Sequence, residues 1–382
     1  MIDTLTLTLC LTLCLTHDCT LRCSYCYAGR KYRHAMTRET AFRAIDLAVE
    51  EARRRGGALD VNFFGGEPLL EWDLLKDCDA YAREKTQGLA APMRNSLTTN
   101  GTLLTPDKAD WMQERDYLLV LSVDGHAAMH NRNRRYADGR GSHESVSAAL
   151  EELNRRPNLR SHLVCVVTPN NVHMLAEGVA WLHRYYNGDF GLSLDYWSSW
   201  SDEQFAVLEE QYRACGELAL QCYREGRPLL MTNLDDKIRS HLNGGYRDCD
   251  RCRIGEREIC VSVDGNFFPC SRLVGEGDNP AITFGNVREG INRARQEWLI
   301  ATRGNKNTQC LGCLLRPRCR NGCGCTNYAA TGAIDRISPL ICASEQLFIS
   351  VADALAGRLY TERNACFLRR FYGPAVSIPP VS

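Results

Sequence analysis

Near its N-terminus the chain reads CTLRCSYC over residues 19–26, which places three cysteines at the spacing C-x3-C-x2-C. Eight more of the chain's 20 cysteines form two further groups. These are Cys249, Cys252 and Cys270, and then Cys310, Cys313, Cys319, Cys323 and Cys342. Thiolates are the usual ligands of iron–sulfur clusters, and a cubane normally takes four of them. The first group therefore predicts a cluster with one iron free to bind another molecule.

Two other uses of clustered cysteines fit the pattern less well. The pair Cys310 and Cys313 alone is also typical of a zinc site. Zinc does not explain a separate three-cysteine group followed downstream by GGEP at residues 65–68. Disulfide scaffolds are mostly short secreted chains, whereas this chain has 382 residues. The spacing favours iron–sulfur clusters.

Composition and charge exclude several classes of function. The formal net charge is zero and no basic block occurs, which argues against nucleic acid as a partner. No apolar run of the ~18–20 residues needed to cross a membrane is expected. The opening MIDTLTLTLCLTLCLT alternates apolar residues with threonine, which predicts a strand and not an export signal. Because such clusters need reducing conditions, we expect a cytoplasmic protein.

Up to about residue 235, short apolar strands alternate with helical patterns. The predicted strands are Leu5–Leu15, Leu59–Phe64, Met93–Thr99, Tyr117–Val123, His162–Thr168 and Phe190–Tyr196. The predicted helices are Thr37–Arg55, Trp72–Thr86, Pro106–Arg115, His143–Arg156, Val172–Tyr186 and Asp202–Arg224. Alternation of this kind predicts parallel βα units. The long last helix is expected to close this domain.

The polar motifs of this region follow predicted strands. Gly65-Gly66-Glu67-Pro68 ends the second strand, Thr99-Asn100-Gly101 the third, and Ser122-Val123-Asp124-Gly125 the fourth. Glycine lets the backbone approach a ligand closely, although Asn-Gly and Asp-Gly also simply make turns. In βα barrels the active site is built from the loops that follow the strands. The motifs therefore predict one site at this end of the sheet.

Cys19, Cys23 and Cys26, together with GGEP, resemble the signature of the radical S-adenosylmethionine (SAM) superfamily. The resemblance implies an α/β fold, a partial (β/α)6 TIM barrel, over residues 1–235. It also implies that the three thiolates hold a [4Fe–4S] cluster whose fourth iron is chelated by SAM. One electron would split SAM and release a 5′-deoxyadenosyl radical that abstracts hydrogen from the substrate.

The same resemblance implies the SAM contacts, which are Tyr25, Gly65, Gly66, Glu67, Pro68, Asn100, Ser122, Asp124 and Arg134. The ring of Tyr25 could equally serve in packing. Arg135 competes with Arg134 for the SAM carboxylate. The resemblance assigns no catalytic base or hydrogen donor.

The later cysteines resemble the SPASM extension, here residues 236–382 with a C-terminal helix near Glu345–Leu359. In that family the extension carries two auxiliary [4Fe–4S] clusters, for three clusters in all. The resemblance gives auxiliary cluster I to Cys252, Cys270 and Cys323, and auxiliary cluster II to Cys310, Cys313, Cys319 and Cys342. Cys249 and Cys260 compete as the fourth ligand of cluster I. A two-residue turn at Asp264-Gly265 would turn Cys260 away from Cys270, so Cys249 is preferred. A longer loop would reverse this.

The resemblance implies an enzyme that modifies a ribosomally made peptide, by a crosslink or another oxidative change. The partners would be the precursor peptide or protein and an electron donor such as flavodoxin or ferredoxin. A separate leader-binding protein is a further expected partner, since no leader-recognition domain precedes the first strand. An alternative is the anaerobic sulfatase-maturing family, which makes formylglycine. That family has an Asp base where this chain has Ser271. A non-catalytic iron–sulfur scaffold or electron carrier is a third reading.

Overall fold

The computed structural model describes residues 8–247, 250–275, 277, 279–304 and 306–373. Its centre is a sheet whose first six strands lie side by side in sequence order, each parallel to the next. They are β1 (Leu9–Cys14), β2 (Leu59–Phe64), β3 (Asn95–Thr99), β4 (Leu118–Ser122), β5 (Arg160–Val167) and β6 (Phe190–Leu194). The predicted parallel βα arrangement is confirmed.

Helices connect these strands. They are α1 (Arg38–Arg54), α2 (Trp72–Lys85), α3 (Pro106–Glu114), α4 (Ala127–Asn133), α5 (His143–Asn154) and α6 (Leu175–Tyr185). The start of α3 shows why the sequence predicts its boundary: the Thr105 side chain accepts a hydrogen bond from the Lys108 amide, and Pro106 occupies the first turn. Only the short α4 was not predicted.

The two faces of the sheet differ in chemistry. On β2, Leu59, Val61 and Phe63 are fully buried in the hydrophobic core, whereas the side chains between them are half-buried. On the opposite face Asn62 donates to Thr12 at 3.4 Å and accepts from Ser96 at 3.0 Å. A period of two thus separates a packed apolar face from a polar, hydrogen-bonded one. The polar face leads toward the site described below.

The C-terminal region begins after α7 (Asp202–Arg224), which starts with a capping box formed by Ser201 and Gln204. Its elements follow in chain order as α8 (Thr232–Leu242), β7 (Glu258–Val261), β8 (Phe267–Phe268), β9 (Gly285–Asn286), β10 (Gly290–Ile291), α9 (Arg293–Thr302), α10 (Thr308–Leu311), α11 (Gly324–Thr331), α12 (Pro339–Thr361) and α13 (Ala365–Tyr372). Strand β7 pairs in parallel with β1, and β8 pairs antiparallel with β7. The central sheet therefore continues across the predicted boundary at residue 235.

Helix α12 is long and apolar enough to cross a membrane by length and composition alone, which the sequence reading did not anticipate. In the structure it packs against α7 and α8. Phe348 stacks on Tyr212 of α7 with ring centroids 4.0 Å apart. Leu347, Val351, Ala352, Leu355 and Leu359 all belong to the hydrophobic core. These contacts are typical of a core helix.

Candidate active site

A cavity of about 310 Å³ lies at the carboxyl ends of the parallel strands. Phe64, Thr99, Ser122, Val166 and Leu194, at or near the ends of β2 to β6, form its floor. The loop of residues 19–28 forms one wall, and residues from the C-terminal region form another. The site thus joins the two halves of the chain.

The loop after β1 places Cys19, Cys23 and Cys26 on the cavity wall. The Cys19 sulfur accepts hydrogen bonds from the Leu21 amide at 3.4 Å and from Asn100 Nδ2 at 3.5 Å. Burial raises the pKa of the Cys19 thiol and raises that of Cys23 to about 12. Because cluster ligands are thiolates, the bound iron must supply the charge that stabilises their ionised form. The donor set fits a three-thiolate cluster.

Tyr25, Asp124 and Arg134 form one buried network beside these thiols. Tyr25 Oη donates to Asp124 Oδ2 at 2.7 Å, and Arg134 Nε donates to the same oxygen at 3.2 Å. The other Asp124 oxygen accepts from the Val166 amide at 2.9 Å. The Arg134 guanidinium also lies over the Tyr25 ring, 5.3 Å from its centroid. Asp124 is fully buried and fixes two cavity residues without lining the cavity itself.

Gly65 and Gly66 allow the end of β2 to lie against the loop after β1. Gly65 has φ +128°, and an added Cβ would stand 2.6 Å from the Thr16 carbonyl oxygen. A Cβ on Gly66 would stand 2.0 Å from the Asp18 carbonyl oxygen. Both glycines line the cavity. Glycine is therefore required at these two positions because the end of β2 lies so close to the cysteine loop. This contact determines the position of the loop.

Glu67 is fully buried, and its carboxylate accepts hydrogen bonds from residues at the end of the neighbouring strand β3. Its carboxylate accepts from the Thr99 hydroxyl at 2.7 Å, the Asn100 amide at 2.8 Å and the Leu69 amide at 3.1 Å. Burial raises the pKa of this carboxyl despite these donors. Neither Glu67 nor the buried Pro68 lines the cavity.

Six of the nine predicted SAM contacts line the cavity, namely Tyr25, Gly65, Gly66, Asn100, Ser122 and Arg134. Of the other three, Glu67 and Asp124 hold cavity residues by hydrogen bonds, and Pro68 is buried beside Glu67. Direct contact of those three with SAM stays a prediction. The competing Arg135 donates to the Gly139 carbonyl at 3.0 Å and is not part of the cavity lining.

His130 supports the same network and yields a pH prediction. Its Nδ1 accepts from the Asp124 amide at 3.1 Å, and burial, then Arg134, then His143 hold its pKa well below the usual value. The folded protein therefore binds fewer protons than the unfolded chain below about pH 6.5, and stability falls there by up to ~1.4 kcal/mol per pH unit. We expect Tm to fall between about pH 7.5 and 5.5 less steeply in His130→Asn than in the parent.

The matched control is His173→Asn, because His173 is exposed. It should show the parent's Tm dependence on pH. Identical slopes in the parent and in His130→Asn would contradict the prediction.

The four cysteines predicted for auxiliary cluster II lie around one small recess. Cys310, Cys313, Cys319 and Cys342 line it, together with apolar side chains that include Ile337 and Ile349. The Cys342 sulfur accepts from Gln346 Nε2 at 3.2 Å. Burial, then Glu345, raises the pKa of the Cys319 thiol to about 12. Four thiols around an apolar recess fit the donor set of a cubane.

Three cysteines predicted for auxiliary cluster I also lie together. The Cys252 thiol lies beside that of Cys323, and the Cys323 sulfur lies 3.5 Å from that of Cys325. Interaction with these two thiols holds the pKa of Cys323 well below its usual value. The Cys325 thiol also lies beside that of Cys270. Cys249, predicted as the fourth ligand, lies outside the described residues.

The hairpin argument about Cys260 is wrong in its register. Cys260 pairs with Phe268 and not with Pro269, because a loop over residues 262–266 replaces the two-residue turn. Cys260 therefore lies on the same side of the hairpin as Cys270. Its sulfur nevertheless contacts that of Cys14 at 3.7 Å and is fully buried.

Among the described residues, no three His, Cys, Asp or Glu side chains are arranged as the ligands of a metal ion. In the cluster I group the thiols lie against one another, with the sulfurs of Cys323 and Cys325 3.5 Å apart. A cubane needs its four ligand sulfurs spread around a larger body. Loading would therefore move these side chains apart.

Ser271, which the sequence reading compared with the Asp of the sulfatase-maturing family, lines the cavity. The sequence reading missed four other residues that line it, namely Tyr27, Asp195, Trp197 and Arg272. Asp195 accepts from the Trp197 amide at 3.1 Å and from the Ser198 hydroxyl, so its carboxylate shapes the loop after β6. The available signal for Tyr27 was its position directly after Cys26, and for Arg272 its position close after Cys270. Asp195 and Trp197 follow no motif.

Residues 13–182 match the model of the Radical SAM superfamily. Residues 13–182 therefore form a radical SAM domain, and the protein is an enzyme. A cysteine-type anaerobic sulfatase-maturating enzyme of Clostridium perfringens (strain 13) is 23% identical over 329 residues, which are 80% of this chain and 85% of the relative. The mycofactocin maturase MftC of Mycolicibacterium smegmatis is 32% identical over 168 residues, 44% of this chain and 40% of the relative.

Among solved structures, native anSMEcpe with bound AdoMet and the Cp18Cys peptide matches with a TM-score of 0.76. The match covers 94% of this chain and 99% of that one at 20% sequence identity. This likeness establishes the fold over nearly the whole chain, including the C-terminal region.

Proposed function

We propose that this chain is a radical SAM/SPASM enzyme that oxidatively modifies a ribosomally made peptide, with residues 1–235 as a partial barrel and 236–382 as the SPASM region. One observation supports this most strongly. The cavity joins the SAM-motif residues on the sheet to Ser271, Arg272 and Cys325 of the cysteine-rich region. A substrate in it would lie between the first cluster and the auxiliary clusters.

When bound, SAM and its cluster would supply the hydrogen-abstracting chemistry. The chain's own residues would hold and enclose the reactants. Asn100 and Arg134 place polar groups near the thiols, at 3.5 Å from Cys19 and 4.0 Å from Cys23. Apolar walls such as Phe64, Val120 and Val164 would exclude water and other hydrogen donors.

Two auxiliary clusters would suit an oxidative reaction, because they can accept an electron from the substrate. The proposed partners are a precursor peptide or protein, an electron donor such as flavodoxin or ferredoxin, and a separate leader-binding protein. The reducing cytoplasm would suit all three clusters.

Sulfatase maturation is the second candidate, and the similarity to sulfatase-maturating enzymes over 80% of this chain favours it. Against it stands Ser271, which lines the cavity where that family places an Asp base. A serine hydroxyl is a far weaker base than a carboxylate. Because of this one residue, we rank sulfatase maturation below the modification of a ribosomally made peptide.

Incubation of the anaerobically reconstituted enzyme with SAM, reductant and a sulfatase-type Cys peptide tests the ranking. We expect SAM cleavage with formylglycine at no more than about 1% of SAM turnover, because general-base catalysis typically contributes at least ~100-fold. The measurement is mass spectrometry of peptide and of 5′-deoxyadenosine. Formylglycine formed at a rate comparable to SAM cleavage would reverse the ranking.

The matched variant is Ser271→Asp. Formylglycine that rises in this variant alone would show that the missing carboxylate is the decisive difference. Absence of SAM cleavage in the parent would instead favour the non-catalytic scaffold.

A further inference from the structure

Four cysteine side chains from three segments meet beside the cavity. Cys252 comes from the segment before β7, Cys270 follows β8, and Cys323 and Cys325 bracket the first residue of α11. The Cys252 thiol lies beside that of Cys323, and the Cys325 thiol lies beside that of Cys270. With the 3.5 Å contact between Cys323 and Cys325, the four sulfurs form a continuous set.

The backbone at the start of α11 allows these cysteines to lie close together. Gly324 lies between the two cysteines, and a Cβ there would stand 2.7 Å from the Ile254 side chain. Ile254 is only two residues beyond Cys252. The absent side chain therefore lets the start of α11 pack against the segment that carries Cys252, which brings Cys323 within reach of it.

Arg272 adds a positive charge at the same place. Its side chain lines one recess together with Cys323 and Cys325. Its Nη2 donates to the Ser193 hydroxyl at 3.0 Å, and it forms no salt bridge within the described part of the chain. Arg272 is half-buried, and the Glu258 carboxylate is one of its electrostatic neighbours. A cubane held by four thiolates has a net negative charge, which a guanidinium beside it would stabilise.

We propose that Cys325 is the fourth thiolate of auxiliary cluster I, together with Cys252, Cys270 and Cys323, and that Arg272 balances the charge of this cluster. The inference rests on the proposed function in one respect, namely that the C-terminal region binds iron–sulfur clusters. It departs from the sequence reading, which preferred Cys249 as the fourth ligand.

The experiment uses the full chain with Cys19, Cys23 and Cys26 changed to Ala, so that only the auxiliary clusters remain. This background should hold about eight irons, two cubanes of four, after anaerobic reconstitution. To it we add Cys325→Ala, Cys249→Ala or Cys260→Ala in turn. The readouts are iron per chain and the EPR spectrum of the reduced protein, neither of which needs substrate or turnover.

We expect Cys325→Ala to lose iron, to as few as about four per chain if the cluster is lost entirely, or to change the EPR signal of one cluster. Cys249→Ala and Cys260→Ala should match the background in both readouts. Cys325→Ser keeps the size of the side chain and an oxygen ligand. It should retain more iron than Cys325→Ala, with a shifted midpoint potential for one cluster only.

Unchanged iron content and EPR spectrum in Cys325→Ala would overturn the proposal. So would an equal loss in Cys249→Ala or Cys260→Ala. A background that binds zinc and no iron would overturn both this inference and the proposed function. Iron in the background that is indifferent to Cys325 would overturn the inference alone.

Discussion

Replacing Cys19, Cys23 and Cys26 together by alanine should remove about four irons per chain, one cubane, and abolish SAM cleavage. These are the three thiols of the loop after β1, and they line the cavity with Tyr25 and Arg134. Without them no iron can chelate SAM, so 5′-deoxyadenosine should fall at least ~1000-fold, a loss of ~4 kcal/mol or more in transition-state stabilisation. Iron analysis and chromatography of the SAM products measure both effects.

The matched control is Cys366→Ala. Cys366 is a partly buried cysteine of α13 and does not line the cavity. It should keep the parent's iron content and SAM cleavage. Undiminished SAM cleavage in the triple variant would refute the assignment of the first cluster.

Changing Asp124 to Ala should weaken SAM binding by about two orders of magnitude while the clusters stay in place. The change removes the acceptor that holds Tyr25 and Arg134 at the cavity wall, and it leaves a buried guanidinium without its carboxylate. Breaking such a buried pair typically costs ~3–5 kcal/mol, part of which would appear as lost affinity because the contacting residues lose their positions. Equilibrium binding of SAM to the reconstituted protein, with iron measured in parallel, tests this.

Asp138→Ala is the control for that experiment. Asp138 also pairs with an arginine, Arg140, at 2.7 Å, but both side chains are exposed. An exposed pair contributes little, so SAM affinity should not change. Equal SAM affinity in Asp124→Ala and in the parent would show that the network does not position SAM-binding residues.

Local patterns were sufficient to predict β1 to β6 and most of the helices between them. Each strand is a short apolar run bounded by polar loops, and cap residues such as Thr105 and Ser201 mark helix starts. The pairing of β7 with β1 could not be predicted in this way. Four residues in a cysteine-rich segment give no local signal, and their partner lies far away along the chain.

In the candidate site, too, local features could be predicted from the sequence and contacts between distant segments could not. The spacing of Cys19, Cys23 and Cys26 is local, and the structure brings them together. The roles of Glu67 and Asp124 depend on which groups surround them in the folded chain. Both carboxylates are buried behind the cavity lining, and a sequence motif does not show this. The proximity of Cys270 to Cys325 could not be predicted, because these two residues come together only through the fold.

The pairing of β1 with β7 has a consequence for how the chain must be made. Cys14 and Cys260, in contact across these strands, are 246 residues apart in sequence. During synthesis β1 emerges early and keeps one edge unpaired until β7 follows, and an unpaired apolar edge invites association with other chains. A fragment that stops near residue 235 would keep that edge permanently. Co-translational chaperone binding and a slow last step of assembly are therefore expected for the intact chain, and poor solubility for the fragment.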